Sequence, residues 1–116
     1  VVICFIHFPF LWLGFNDGYL VKYNLSTIRI NIVLPLFKKA ISAFVLFNHD
    51  AGIVGSYDGS IKIVNLEKKQ TIYTWLAHSN YIAAFRLIEN NYLISFGYTG
   101  EIKVWDLTHI SCIQQY

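Results

Sequence analysis

The stretches DGYLVKYNL (residues 17–25), DGSIKIVNL (58–66) and TGEIKVWDL (99–107) are one motif written three times. Gly18, Gly59 and Gly100 stand 41 residues apart, and so do Asn24, Asn65 and Asp106. A fixed period of this length marks an array whose unit is one supersecondary element, which buries its apolar surface against the next copy. The register extends beyond the motif. Ile3, Phe44 and Phe85 match across the copies, as do Trp12, Ile53 and Ile94, and then Leu25, Leu66 and Leu107.

Upstream of each motif lies a short apolar segment: LWLGF (11–15), GIVGS (52–56) and YLISFG (92–97). An Asn-Asp-Gly, Tyr-Asp-Gly or Tyr-Thr-Gly turn follows. Gly between two such runs signals a hairpin, because it takes positive φ without a steric cost. After the turn, Ile61 and Ile63 share one face while Lys62 and Val64 share the other. Each copy closes on another β-rich run: TIRINIVL (27–34), TIYTW (71–75) or HISCIQQY (109–116). Four short strands per copy follow from this. β-branched and aromatic residues dominate and turn signals recur every 8–12 residues or so, a pattern that disfavours helix. The expected class is all-β.

With these residues in hand, the chain resembles the WD-40 repeat family of β-propellers. The resemblance is carried by Gly100-Glu101-Ile102-Lys103-Val104-Trp105-Asp106, with Ala77-His78 upstream. That family places a Gly-His pair ahead of a terminal Trp-Asp within about 40–45 residues. Copy three departs in those dipeptides only at Ala77, whereas copies one and two end in Tyr23-Asn24 and Val64-Asn65. The resemblance implies four-stranded antiparallel blades over residues 1–34, 41–75 and 82–116. Closed propellers hold roughly four to eight blades. Three are therefore expected to be part of a larger closed propeller, or to be completed by a second copy or a partner chain.

Composition agrees with stacked sheets buried on both faces. Hydrophobic residues make up 55% of the 116 residues and charged residues 14%, against about a quarter charged in typical soluble domains. The apolar run VVICFIHFPFLWLGF (1–15) raises the question of a membrane segment. It is shorter than the ~20 residues a spanning helix needs, carries Pro9 and stays in register with residues 42–56 and 83–97. A buried strand pair is expected there, with no membrane span. A net charge of +2 is too small to imply nucleic acid or an anionic membrane. Two cysteines make no disulfide framework. Cys4 is placed in the innermost strand of copy one and Cys112 in the outermost strand of copy three, which fits a reducing intracellular compartment, cytoplasmic or nuclear.

Candidate chemistry is sparse. The resemblance implies a hydrogen-bonded tetrad in a well-formed repeat, which maps in copy three onto His78, Ser95, Thr99 and Trp105. Thr99 stands where Asp is usual, so His78 is expected to lack a charged acceptor. The same positions in copy two are Phe37, Val54, Asp58 and Val64, while copy one offers Leu13, Asp17 and Tyr23. His78, Ser95 and Asp58 do not read as a catalytic triad, since Asp58 belongs to another copy's turn, where Asp-Gly has its own conformational reason. His7, His49, His78 and His109 never pair at metal-ligand spacing. The glycines precede no helix, so there is no phosphate loop. Neither cofactor nor metal is expected. Asn24-Leu25-Ser26 matches a glycosylation acceptor but occupies the Trp-Asp position of the repeat.

The surface remains. The resemblance implies partner docking on the loops joining successive copies, here Lys38, Lys39, Asn80 and Tyr81, and on the turns holding Asn16, Tyr57 and Tyr98. The expected function is a non-enzymatic scaffold for protein–protein contacts in a larger intracellular assembly. The alternatives are a propeller associated with nucleic acid or ribonucleoprotein, and an accessory propeller of a larger enzyme. With the tetrads eroded, packing of Trp12, Phe44, Phe85 and Trp105 should carry stability. Trp105→Ala is expected to cost about 3–5 kcal/mol in denaturant titration; a loss under about 1 kcal/mol, as at surface positions, contradicts the burial assigned to it.

Overall fold

The computed structural model describes residues 3–48, 50–89 and 91–116. Their strands are β1 (Ile3–His7), β2 (Phe10–Gly14), β3 (Tyr19–Asn24), β4 (Arg29–Pro35), β5 (Ile41–Leu46), β6 (Ala51–Ser56), β7 (Ser60–Asn65), β8 (Gln70–Leu76), β9 (Ile82–Ile88), β10 (Tyr92–Gly97), β11 (Ile102–Asp106) and β12 (Ser111–Gln115). They form three four-stranded sheets, β1–β4, β5–β8 and β9–β12, each an antiparallel meander in sequence order. Residues 3–14 of the N-terminal apolar run form the β1–β2 hairpin, with Trp12 opposite Phe5. Only Trp12 and Gly14 are buried there, and Cys4, Ile6 and His7 are exposed, so the expected buried strand pair is in fact half open to solvent. No helix among the described residues is long and apolar enough to cross a membrane.

The hairpins repeat down to single hydrogen bonds. At the β2–β3, β6–β7 and β10–β11 turns, Gly18, Gly59 and Gly100 adopt φ of 88°, 86° and 94°. Their N–H groups donate to Phe15, Ser56 and Gly97 carbonyls. This is a tight turn whose last residue takes the left-handed side of φ space, where a side chain is strained. At the opposite end, Leu25, Leu66 and Leu107 donate to the carbonyls of Pro9, Asp50 and Asn91. The β3–β4 type turns carry Ile28, Lys69 and Ile110 at φ of 54°, 58° and 51°. Each is followed by a bulge, with Asn31, Ile72 or Ile113 as the extra residue opposite the Lys22–Tyr23, Ile63–Val64 or Val104–Trp105 step.

These turns explain the Asn or Asp at the end of each motif. Asn24 Oδ1 accepts from the N–H of Ser26 and Thr27, Asn65 Oδ1 from Lys68, and Asp106 Oδ1 from Thr108. A short side chain with a carbonyl-type oxygen folds the backbone over itself here, and Asn serves as well as Asp. Asp106 also faces His109 at 3.1 Å. The His109 hydrogen bond, and then that from Thr108, hold its carboxyl below the ordinary value. Its contribution is therefore present above the usual carboxylate range and lost as pH falls through the lowered value.

The sheets pack face to face through two apolar cores. Trp12, Leu20, Leu34, Phe44, Val54 and Val64 meet between the first and second sheets. Ile53, Ile61, Ile63, Ile82, Leu93 and Trp105 meet between the second and third. Period-2 alternation thus sends Val54 and Val64 to one side of the middle sheet and Ile53, Ile61 and Ile63 to the other. Strand β6 is buried at every position, whereas β12 is exposed at every position. Cys4 and Cys112 are free and exposed.

The glycine turns also seat the linkers between sheets. A Cβ on Gly59 would lie 1.9 Å from the His78 carbonyl oxygen, and one on Gly18 would lie 1.9 Å from that of Phe37, whereas Gly100 faces open space. Gly100→Ala should therefore cost only backbone strain, about 1–2 kcal/mol. Gly59→Ala should cost about 3 kcal/mol or more, because steric displacement of the linker is added. Equal costs for the two in urea titration contradict this seating.

Candidate functional site

Two constellations of polar and aromatic side chains stand out, one sealed and one open. The sealed one lies in the third sheet. His78 is held by its backbone N–H, which donates to the Gly59 carbonyl over 3.1 Å. Its ring Nε2 lies 2.7 Å from Ser95 Oγ, and Trp105 Nε1–H donates to the same oxygen over 2.8 Å. Its Nδ1 lies 2.9 Å from Glu101 Oε1. Indole N–H only donates and carboxylate only accepts, so one chain of bonds satisfies every group: Nδ1–H to Glu101, Ser95 O–H to Nε2, and indole N–H to Ser95 Oγ.

Glu101 corrects the expectation for Thr99. Thr99 is exposed at the turn corner and takes no part in this chain of bonds, so its short side chain does not replace the carboxylate. Glu101, beyond the Gly100 turn, has the reach to do so. Thus His78 keeps a charged acceptor. Gly97 makes room for the pair, since a Cβ there would lie 2.8 Å from His78 Nδ1 and 3.0 Å from Glu101 Oε1. That glycine, where copy two has Ser56 and copy one Phe15, was the available sequence signal.

Ser95, His78 and Glu101 have the spacing of a nucleophile, a base and an orienting acid. Yet Ser95 is 0% and His78 2% exposed, and Ser95 is covered by the indole that bonds to it. No substrate atom reaches such a hydroxyl, and the arrangement ties β10, β11 and the linker together. In the second sheet the corresponding Val54 and Val64 are buried in an apolar core. Asp58 caps its own turn there, accepting from the Ser60 N–H over 2.8 Å. Lys62 Nζ instead bonds the Leu36 carbonyl beneath the Phe37 ring. His49 lies outside the described residues, and no cluster of potential metal ligands occurs among those described.

The open constellation lies at the end of the sheets that carries the glycine turns. Tyr57, from the second sheet's turn, stacks on Tyr81 with ring centroids 4.6 Å apart and planes 20° apart. Tyr81, on the linker into β9, meets Tyr98 of the third sheet's turn at 4.4 Å and 32°. The backbone joins one pair directly, for Tyr98 N–H donates to the Tyr81 carbonyl, while Tyr57 N–H donates to that of Ala40 on the preceding linker. Asn80 Oδ1 accepts from the Tyr81 N–H over 2.8 Å. Burial raises the Tyr81 phenol above its ordinary value, and the neighbouring Tyr98 and Tyr57 push it further.

Of the residues expected at a docking face, the structure therefore gathers Tyr57, Asn80, Tyr81 and Tyr98. Lys38 lies apart, lining a cleft with Asp58, Ser60 and Thr74 at the first junction. Lys39 is exposed, with its carbonyl oxygen close to Gly18. Asn16 and Ala40 hold the positions of Tyr57 and Tyr81 in the preceding copy. The ladder accordingly belongs to the junction of the second and third sheets alone. What the sequence did not disclose was that Tyr81, singled out on a different segment, is the rung between the other two.

Comparison with known proteins bears on both constellations. No protein-family profile matches the chain. It is 29% identical over 97 residues to the WD repeat-containing protein 91 homolog of Dictyostelium discoideum, covering 81% of this chain and 12% of that protein. The chain is also 33% identical over 63 residues to ASTRA-associated protein 1 of Scheffersomyces stipitis, covering 54% of this chain and 15% of that one. Together with the His78–Ser95–Trp105 bonds, this makes the repeat similar to the WD type. The three sheets match the four-stranded blades of a propeller.

Solved structures agree on the fold. A chain of the mitotic checkpoint complex superposes with a TM-score of 0.83 at 19% identity, over 93% of this chain and 33% of its own length. The computationally designed Ika4 protein gives 0.77 at 21% identity, over 90% of this chain and 64% of its own. In the third blade, Glu101→Ala should cost about 1–3 kcal/mol by orphaning a buried imidazole N–H. Thr99→Ala should stay within about 0.5 kcal/mol. The reverse ranking in chemical denaturation contradicts the assignment of Glu101.

Proposed function

We propose that this chain is the WD-repeat portion of a non-enzymatic scaffold, and that the Tyr57–Tyr81–Tyr98 ladder is a protein-docking surface. The carrying observation is the ladder itself. Three rings from two turns and a linker are stacked at 4.4–4.6 Å, while Tyr57 and Tyr98 remain 43% and 59% exposed. Exposed tyrosine is enriched among the residues that dominate interface energies. Rings already ordered by stacking, at about 0.5–1.5 kcal/mol per pair, have little side-chain entropy left to lose on association. The scaffold works inside the cell, in cytoplasm or nucleus. Its ring is completed by further blades of the polypeptide or by a second copy, a reading supported by relatives that extend far beyond the matched region.

The test is quantitative recovery of the native assembly carrying either the wild-type chain or the Tyr57→Glu/Tyr98→Glu double variant. The variant should fold and melt cooperatively yet recover at least tenfold less of the co-purifying proteins. Undiminished recovery overturns the assignment of the ladder. Recovery governed instead by nucleic acid, with a steep salt dependence, replaces the scaffold reading with a nucleic-acid one.

A further inference from the structure

At the opposite end of the blades from the tyrosine ladder, the first and second blades diverge around a cleft of about 550 Å³. Its walls are aromatic, with Phe5, Phe8, Phe10 and Trp12 contributing. The polar lining comes from His7, Lys22 and Asn48. Lys22 stands opposite Trp12 in the β2–β3 register, on the face turned toward the second blade. Its ammonium lies 3.8 Å from the centroid of Phe10 and 5.2 Å from that of Trp12.

The repeat supplies an internal control. The position of Lys22 is Ile63 in copy two and Val104 in copy three, and that of Phe10 is Ala51 and Tyr92. The cleft between the second and third blades, about 410 Å³, is lined by Ile63 and Ala51 and holds no lysine. Packing between blades is thus served by aliphatic residues at this site. Copy one instead places an ammonium there, half-buried against the ring faces.

We propose that this cleft binds an acidic peptide segment of a partner protein, with an Asp or Glu carboxylate on Lys22 and a flanking apolar side chain against Phe8 and Phe10. The aromatic faces are already met by the chain's own ammonium, and Asp50 and Glu67 line the adjoining cleft on its other side, so a peptide carboxylate would share Lys22 with those acids. The volume lies within the ~300–1,000 Å³ of ligand pockets. Phe8, 75% exposed, extends the wall past the reach of a lone carboxylate, which favours a peptide over a small acid. The site is separate from the tyrosine ladder and does not depend on it.

The experiment is fluorescence anisotropy with labelled, end-blocked peptides of the form Leu-Asp-Phe and Phe-Glu-Leu, and their Asn and Gln isosteres, added to the full chain. The acidic peptides should bind at least tenfold more tightly than the amides, with a change in Trp12 emission. Lys22→Ile, which installs the residue of copy two, should abolish that preference while remaining folded by circular dichroism. Lys22→Gln should do the same should the isoleucine variant fail to fold, and Lys22→Arg should retain it. The proposal is overturned by equal binding of acid and amide, by absence of saturable binding of the acidic set, by survival of the preference in both uncharged variants, or by acetate competing as well as peptide.

Discussion

Everything in this molecule depends on sheets stacked so that the three inner strands of the middle one, β5–β7, are covered on both faces, while β8 stays exposed. A four-stranded meander alone leaves one apolar side bare, and alternation along a strand then commits every second residue to water. Here the second blade escapes that commitment. Val54 and Val64 pack toward the first blade while Ile53, Ile61 and Ile63 pack toward the third. At about 25 cal/mol per Å² of apolar surface removed from water, such two-sided burial outweighs any individual polar contact in the chain. It also explains why copy two tolerates the loss of its buried polar network, with Phe37, Val54 and Val64 in place of hydrogen-bonding groups.

The turns decide where that burial can happen. Positive-φ glycines at one end and Asn- or Asp-capped turns at the other fix the four strands of each blade in register, and glycine additionally lets the outgoing linker lie against the hairpin. The linkers then place side chains at the junctions between blades, and differences among the copies appear there. The Tyr81 rung, the His78 network and the Lys22 cleft all lie at such junctions or beside them. A repeat fold conserves the spacing and leaves the junction chemistry free to differ, which is why function concentrates there.

How much of this was legible in the sequence follows from the range of the interactions. The period, the four strands of each copy, the glycine turns and the opposed faces of Ile61–Ile63 and Val64 are local or periodic, and all were readable. The role of Asn24, Asn65 and Asp106 was also local but lay hidden behind the Trp-Asp resemblance. Glu101 was not legible as the partner of His78, because a longer side chain two residues along reaches where Thr99 does not, and only the room above Gly97 reveals it. Tyr57, Tyr81 and Tyr98 could be marked singly. Their stacking is set by the angle between blades, which no residue spacing encodes. The inward position of Lys22 emerges only from its pairing with Trp12.

The central claim, that burial of the middle blade on both faces holds the molecule together, is tested most directly by native-state hydrogen exchange resolved to single amides. The hydrogen-bonded amides of β6 and β7 should exchange only through global unfolding, with the full denaturant dependence of that transition, while those of β12 exchange through smaller openings. Protection in β6 no greater than in β12, or opening of the second blade before its neighbours, contradicts it.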